Sequence, residues 1–297
     1  MAETFSLLLV ENGFLRTPAF LRLYDSFEQA AKALDISLTR LTNDALCPLP
    51  DLVTAPDAVL FWDKDVRLAA QLERQGLAVF NSSESIAVCD DKTLTWLCLK
   101  DSVPMPETIL APMAYGQYAD TGFLRRVEEQ LGFPYILKEG IGSFGQQVYL
   151  IRSREEAVIR LKTAGERPVL FQRFIREAEG TDKRIYVVGD RCVAAMIRRA
   201  PPGDFRSNIG NGGTAEPCEV TDEEAWLALQ TAKELDLVFA GIDILPSEQG
   251  PLICEVNSNA HFSALSQLTG VDIASAILQE IVRQKLMFFD NTDSIPF

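Results

Sequence analysis

The sequence has no C-x-x-C cysteine pair, no long apolar run and no basic segment ahead of its first short apolar stretch. Its six cysteines stand apart and mostly within apolar runs, which is typical of reduced, packed thiols. A membrane span needs roughly 18 consecutive apolar residues, and an export signal needs a basic region before its apolar core. We therefore expect a cytoplasmic protein with no membrane partner.

Positive charge is also scarce. The 297 residues include 28 Lys and Arg against 42 Asp and Glu, which gives a net charge of -14. Proteins bind nucleic acid largely through clustered Lys and Arg on phosphates, so no nucleic-acid partner is expected. A hydrophobic content of 47% is typical of a globular protein, and the length predicts two or three compact units.

Strand and helix patterns alternate over residues 5–80, which predicts a small parallel α/β domain. A helical connector and a proline-rich segment follow, so the first boundary is placed near residue 88. The remaining chain has the pattern of an α+β fold in which a glycine-rich loop joins two strands. The predicted organisation is an N-terminal domain at 1–88, a central lobe at 89–168, a C-terminal lobe at 169–290 and a loose tail at 291–297.

Two carboxylates lie among the apolar residues of a predicted hairpin near the C-terminus. Asp243 belongs to the first strand and Glu255 to the second, with Asn257 two positions further along. Neither strand carries a Lys or Arg, and a buried carboxylate is costly unless it is paired or binds a cation. An in-register hairpin places all three side chains on one face, where an all-oxygen set suits Mg²⁺ held together with the phosphates of a nucleotide. The alternative is a half-exposed hairpin that carries carboxylates without a metal.

Lys138 ends a predicted strand and is followed by the loop Gly140-Ile-Gly142-Ser143-Phe-Gly145. Glycines let backbone N–H groups approach a phosphate while the lysine ammonium neutralises its charge. The segment is not a Walker A loop, because the lysine precedes the glycines and a strand follows them. An ordinary hairpin is the alternative. Lys92, just after the first boundary, is by itself typical of a solvated surface lysine.

Further polar residues follow the strand at 171–175, which leads into a polar loop. Such a connector between lobes could pair its backbone with adenine, and Asp182 could then accept a hydrogen bond from a ribose hydroxyl. Arg198-Arg199, and then Arg206 with Asn208, precede or enter a glycine-rich loop, and their bidentate donors suit phosphate or carboxylate. Solvated loops explain both segments equally well.

His261 is the only histidine of the chain and follows the predicted metal strand directly. A lone histidine is usually packed or exposed. Its position next to Asn257 and Asn259 allows a second interpretation, in which it holds the acceptor substrate or its proton.

Taken in order, these segments resemble the ATP-grasp superfamily, and most closely its RimK-like ligases. The resemblance covers roughly residues 88–285, and Gly-Asp-Phe-Arg-Ser-Asn followed by Gly-Ile-Asp and Glu-Val-Asn is specific in combination. It implies an ATP-grasp fold of mixed α/β and α+β type, in which a small N-terminal parallel domain precedes two lobes that enclose ATP.

The resemblance also implies roles for the residues at matching positions. ATP would contact Lys92, Lys138, Gly142, Ser143, Gly145, Gln172, Arg173, Phe174, Ile175, Asp182, Arg206 and Asn208. The transferred phosphate and acyl group would meet Arg206, Asn208 and Arg199. Two Mg²⁺ or Mn²⁺ ions would be held by Asp243, Glu255 and Asn257, and the substrates by Arg184, Asn259 and His261.

The implied activity is ATP-dependent joining of a carboxylate to an amine, on a peptide or a small molecule, through an acyl phosphate. Many relatives form homo-oligomers. One rival is an ATP-grasp kinase that phosphorylates a hydroxyl with the same nucleotide and metal residues. Another is a nucleotide sensor without turnover, which should lack a metal ligand or a phosphate lysine, and this sequence lacks neither. The substrates stay open, because Ser-Asn-Ala-His replaces the usual Ala-Ser-Pro-Gly after Glu-Val-Asn.

Overall fold

A computed structural model describes residues 4–47, 55–115, 122–142, 145–207 and 212–292. In this described part the strands form three sheets, one in each successive section of the chain. The predicted combination of a small parallel domain and two α+β lobes is confirmed.

The N-terminal domain is a parallel sheet with helices packed against it. Its strands are β1 (Ser6–Glu11), β2 (Ser37–Thr42), β3 (Ala58–Trp62) and β4 (Val79–Phe80), in the order β2-β1-β3-β4. Its helices are α1 (Pro18–Ala33), α2 (Val66–Arg74) and α3 (Ser83–Asp90). Thr17 caps α1 and Pro18 occupies its first turn, where a missing N–H costs nothing. The predicted boundary at 88 falls inside α3, so we place it at Asp91, where α4 (Lys92–Leu99) begins.

The central lobe is built on an antiparallel sheet. Its strands are β5 (Thr108–Leu110), β6 (Tyr135–Glu139), β7 (Val148–Ile151) and β8 (Val169–Arg173), in the order β5-β8-β6-β7. The helices α5 (Phe123–Leu131) and α6 (Arg154–Ala164) cover it. The lobe boundary predicted at 168 is wrong, because β8 pairs with both β6 and β5 and completes this sheet. The boundary therefore lies after Arg173.

The C-terminal lobe carries an antiparallel sheet whose strands run in the order β11-β10-β9-β12-β13. The strands are β9 (Thr181–Val188), β10 (Arg191–Arg199), β11 (Thr214–Pro217), β12 (Phe239–Leu245) and β13 (Leu252–Asn257), and the helices are α7 (Asp222–Glu234), α8 (Ser263–Thr269) and α9 (Ile273–Thr292). A short 3-10 turn at Arg176–Ala178 precedes β9. The helix α9 extends to Thr292, past residue 291 where the tail was predicted to start, and residues 293–297 lie outside the described residues.

The N-terminal domain and the C-terminal lobe share one hydrophobic core. Trp62, at the end of β3, stacks on Phe239 of β12 with ring centroids 5.5 Å apart, and it meets Phe262 edge-on at 5.6 Å. Phe27 of α1 also contacts Phe262, at 5.4 Å. Aromatic pairs of this kind contribute about 0.5–1.5 kcal/mol each beyond the area they bury. The end of β3 is thereby held against the C-terminal sheet.

Asn81 adds a polar bond between the same two units. Its fully buried amide donates to the carbonyls of Phe239 and Ser258, both at 2.9 Å, and accepts from the N–H of Val238 at 2.8 Å. Buried backbone groups that lose such partners have no water to replace them.

Substitution Asn81→Ala should lower the free energy of unfolding by about 3 kcal/mol, since it strands several buried polar groups at once. Chemical denaturation followed by tryptophan fluorescence measures this change. Gln71→Ala, which removes an exposed amide from α2, is the matched control and should change stability by less than about 0.5 kcal/mol. Equal effects of the two substitutions would show that Asn81 does not join the domain to the lobe.

Candidate active site

The hairpin of β12 and β13 has the predicted register. Asp243 pairs with Glu255 and Gly241 pairs with Asn257, with an irregularity only after Asp243. The three polar side chains line a common cavity. The prediction that they share one face is therefore confirmed.

Asp243 is neutralised by arginines from the neighbouring strands. Arg184 of β9 donates to both carboxylate oxygens at 2.7 Å, and Arg198 of β10 reaches Oδ2 at 2.8 Å. The sequence analysis considered only the two strands of the hairpin, which carry no Lys or Arg, and so did not foresee these partners from β9 and β10. Burial alone would raise the pKa of Asp243, but Arg184 and Arg198 outweigh burial and hold the pKa below its usual range.

The ion pairs continue beyond Asp243 into a buried chain of alternating charge. Arg198 donates to Asp182 through Nε at 2.7 Å and through Nη2 at 2.5 Å, so the order is Arg184, Asp243, Arg198, Asp182. Burial raises the pKa of Asp182 even though Arg198 opposes the shift. Both oxygens of Asp182 are already engaged, so a bond to ribose would share them with Arg198. We call these four residues the charged wall.

The predicted catalytic arginine lies on the wrong face of its strand. Arg199 is half exposed and pairs with Glu216 at 2.7 Å, whereas Arg198 is buried and faces the interior. Adjacent residues of a strand point to opposite faces, so only one of the two can enter the site. Arg198, which the sequence analysis named beside Arg199, is the one of the two that lines the cleft between the central and C-terminal lobes.

A cleft between the central and C-terminal lobes contains most of the residues expected to contact a nucleotide. Lys138, Gly145, Gln172, Arg173, Phe174, Ile175, Asp182 and Arg206 line it, together with Asp243 and Glu255. The side chain of Arg173 is held by Glu107 at 3.0 Å and by two carbonyls, while that of Gln172 donates to Thr108 at 3.0 Å. The backbone of this segment is the part that adenine could reach. Ser143 and Asn208 lie outside the described residues.

Lys138 is a buried cation that pairs with no acid among the described residues. It is 5% exposed, and the only hydrogen-bond neighbour of its ammonium group in the described chain is the thiol of Cys254, at 3.6 Å. Burial raises the pKa of Cys254, so the thiol stays neutral. A buried ammonium group loses its hydration, and this costs free energy unless an opposite charge lies beside it. The cleft therefore suits a ligand that brings negative charge to this point.

Two further cations connect the cleft to the glycine-rich loop. Lys92 donates to the carbonyl of Gly142 at 2.9 Å and lies 3.7 Å from Glu255. Arg206 donates to the carbonyl of Gly145 at 3.1 Å and pairs with Asp204 at 3.0 Å. Both cations thus lie where the loop meets the walls of the cleft.

A second cavity of about 300 Å³ adjoins the cleft, and the two share Gly145, Arg198, Asp243 and Glu255 as lining. The predicted substrate residues Arg184, Asn259 and His261 all line it. So do Asn12, Phe20, Tyr24, Trp62 and Asp63 of the N-terminal domain, which sequence reasoning missed. Their positions along the chain carry no pattern that distinguishes them from ordinary core and loop residues.

His261 is held by the N-terminal domain. Its Nε2 lies 3.1 Å from the carbonyl of Ala19, and its ring meets Phe20 edge-on with centroids 5.3 Å apart. Burial lowers the pKa of His261, and the nearby Arg22 and Arg184 lower it further although the carbonyl opposes them. The neutral imidazole is therefore favoured at neutral pH, and its ring is packed against the N-terminal domain.

The donor set at the hairpin fits a hard divalent cation in its chemistry. Glu255 is partly exposed and only loosely paired, and the amide of Asn257 has a buried nitrogen with no partner among the described residues. Asp243 would have to release an oxygen from an arginine to join them. No group of three His, Cys, Asp or Glu side chains that could hold a metal occurs in the described ranges.

Comparison with known proteins gives the family. A model described as the RimK-like ATP-grasp domain matches residues 89–281. The chain belongs to this family. The RimK-like chain is 32% identical over 243 residues to N-acetylaspartylglutamate synthase A of Homo sapiens, an alignment that covers 80% of this chain and 61% of the human protein. It is 36% identical over 216 residues to the ribosomal protein bS6–L-glutamate ligase of Escherichia coli O81 (strain ED1a), covering 72% of this chain and 70% of that enzyme.

The RimK-like chain also has the fold of solved ATP-grasp ligases. It superposes on D-alanine–D-alanine ligase from Bacillus anthracis, solved in complex with ATP, with a TM-score of 0.75 and 16% identity over 97% of this chain and 99% of that one. The ATP-grasp fold predicted from the sequence is confirmed. The Escherichia coli relative is named as a glutamate ligase and the human relative as a synthase, and this chain spans about three fifths of the human protein. None of the helices within the described ranges has the length and apolar character to span a membrane.

The neighbouring arginines of β10 provide a matched pair of substitutions. Arg198→Gln should lower the free energy of unfolding by about 3–5 kcal/mol, because it leaves Asp182 and Asp243 buried with too little positive charge. Arg199→Gln removes an exposed pair with Glu216 and should cost less than about 1 kcal/mol. Denaturant titration of both variants measures the difference. A smaller loss for Arg198→Gln than for Arg199→Gln would show that the charged wall does not stabilise the lobe.

Proposed function

We propose that this RimK-like protein is an ATP-dependent ligase that joins a carboxylate to an amine through an acyl phosphate. The observation that carries the proposal is Lys138, a buried cation without an acid partner in a cleft that meets a second cavity at the charged wall. A nucleotide in the cleft would supply the missing negative charge. Its terminal phosphate would then lie at the wall shared with the substrate cavity.

The residues of the cleft have separate tasks in binding ATP. The backbone of residues 172–175 would pair with adenine, as expected of a connector that leads out of β8. Lys138 and Lys92 would neutralise the phosphates, and Lys92 would exchange its contact with the Gly142 carbonyl for a phosphate oxygen. Asp182 would face the ribose while it remains bound to Arg198.

Asp243, Glu255 and Asn257 would hold Mg²⁺ or Mn²⁺, with two ions as the family resemblance implies. Divalent ions supply charge neutralisation and orientation to a phosphoryl group in transfer. Release of Asp243 from Arg184 would free an oxygen for this purpose and would free a guanidinium for the substrate carboxylate. The ion pair between Arg184 and Asp243 would thereby be replaced by two contacts, one between Asp243 and a metal ion and one between Arg184 and the substrate carboxylate.

The proposed reaction has two steps. A substrate carboxylate oxygen attacks the terminal phosphorus of ATP, the bond from that phosphorus to the bridging oxygen breaks, and ADP leaves. The amine nitrogen then attacks the acyl carbon, and the bond from this carbon to the bridging oxygen of the acyl phosphate breaks. Phosphate leaves with this bridging oxygen, and the amine nitrogen loses a proton. Arg206, bound to the Gly145 carbonyl, would stabilise negative charge on the transferred group and help the loop to exclude water.

The relatives support substrates of more than one size. One is named for a small acetylated dipeptide and another for a ribosomal protein, and both names include glutamate. We propose a small-molecule or peptide carboxylate and an amine as the substrate pair, used in the cytoplasm in agreement with the free cysteines. Homo-oligomer formation is a further part of the proposal.

Phosphate release from ATP tests the function when amino acids and small carboxylic acids are supplied singly and in pairs and product masses are recorded. Release should require a carboxylate and an amine together and should yield an amide. A stable phosphate ester on a hydroxyl would instead identify a kinase.

Within this assay, Lys138→Met should lower turnover by at least about 100-fold, because the transferred phosphate loses a buried positive charge. Its melting temperature should equal or exceed that of the wild type, since an uncompensated ammonium is removed from the interior. Lys162→Met, which removes an exposed charge from α6, is the control and should leave turnover unchanged. Unchanged turnover of Lys138→Met would contradict the proposed nucleotide site.

A further inference from the structure

We propose that the second cavity recognises a substrate by its primary ammonium group, and that Asp63 is the residue that binds it. The inference rests on the proposed ligase function, because that function defines the two substrates. It goes further in assigning a charge to the ligand and a residue to its recognition.

Asp63 follows Trp62 directly and is 8% exposed. Its Oδ1 accepts from the side chain of Asn12 at 3.0 Å and from the N–H of Lys64 at 2.7 Å. Its Oδ2 is buried and accepts no hydrogen bond in the described part of the chain. One of the two carboxylate oxygens of Asp63 therefore lacks a hydrogen-bond donor among the described residues, and Asp63 lines the cavity.

No ion pair of Asp63 occurs among the described residues. The adjacent Lys64, which also lines the cavity, lies beyond ion-pair distance of Asp63 and pairs with Asp90. Asp243, which lines the same cavity, shows the contrast because two arginines neutralise it. A buried carboxylate without a cation costs several kcal/mol, so the site is suited to a ligand that brings positive charge.

A second acceptor lies beside the first. Asn259 donates its Nδ2 to the backbone carbonyl of Asp63 at 2.6 Å, which assigns that atom as the amide nitrogen. The remaining oxygen, Oδ1, is buried and has no donor within the described residues. Two buried acceptors from different domains, neither with a donor among the described residues, thus belong to adjoining residues that line the same cavity. An ammonium group has three N–H donors and can serve both.

The lining favours an organic cation over a metal ion. Phe20 and Trp62 contribute apolar carbon to the lining, which packs against an organic molecule and supplies no ligand to a metal ion. Asp63 is not part of any group of three His, Cys, Asp or Glu side chains in the described ranges that could hold a metal. A volume of about 300 Å³ is at the lower end for ligand pockets and suits a molecule of amino-acid size.

The ammonium group could belong to either of the two substrates. On the carboxylate substrate it would remain charged throughout and survive in the product. On the amine substrate it would be the nucleophile itself and would lose a proton before attack. Kinetics of the variant described below separate these cases, because only the substrate that contacts Asp63 should show a raised KM.

The test is calorimetric binding of the twenty common amino acids to the full chain. Each amino acid that binds is compared with its desamino acid, which lacks the ammonium, and with its decarboxylated amine, which keeps it. Binding should require the ammonium group. Asp63→Asn, which keeps the shape and the contact with Asn12, should weaken binding at least about tenfold, as expected for a lost charge-assisted bond.

Two controls separate recognition from structural support. Asp190→Asn, on an exposed turn, removes the same charge and should leave binding unchanged. Asp63→Asn without ligand should melt at the wild-type temperature or above it, because an uncompensated buried charge is removed. A carboxylate with a purely structural role would instead lower the melting temperature on substitution and leave the ammonium requirement intact.

Equal binding of the desamino acids, unchanged affinity in Asp63→Asn, or failure of every amino acid and amine to bind would each overturn the proposal. Binding measurements do not depend on turnover. The two proposals can therefore fail separately. If Asp63→Asn loses ammonium binding but the wild type forms no amide with ATP, the site is supported and the ligase function is contradicted.

Discussion

The buried chain of alternating charge formed by Arg184, Asp243, Arg198 and Asp182 is the interaction on which the site depends. It spans strands β9, β10 and β12 and balances two acids with two guanidinium groups in the interior of a sheet. Its members line the cleft between the lobes and the second cavity. Because each charge is held by its neighbours, the wall that these two spaces share is in place before any ligand binds.

The charges that remain unbalanced lie on opposite sides of this wall. Lys138 leaves a positive charge in the cleft, and Asp63 leaves a negative charge in the second cavity. A protein tolerates such groups at a cost in stability, and binding of an oppositely charged ligand offsets that cost. The pair therefore describes the expected ligands by their charge, with phosphates in the cleft and an ammonium in the cavity.

Local pattern was enough to predict the parts of the site that depend on neighbours along the chain. The two-residue period of strands and the hairpin register placed Asp243, Glu255 and Asn257 together. A phosphate-binding role for the glycines after Lys138 stays a prediction. Sheet order is a non-local property, so the arginines that neutralise Asp243 could not be predicted from the hairpin alone. The same limit explains why β8 was assigned to the C-terminal lobe, and why the residues that the N-terminal domain contributes to the cavity were not predicted.

Oxygen transfer is the most direct measurement of the central claim that ATP activates a carboxylate at the charged wall. A carboxylate substrate labelled with ¹⁸O is incubated with ATP, Mg²⁺ and the amine, and the phosphate released is analysed by mass. An acyl phosphate intermediate predicts one ¹⁸O atom in each phosphate formed with amide product. Phosphate that takes its new oxygen only from water would contradict the account.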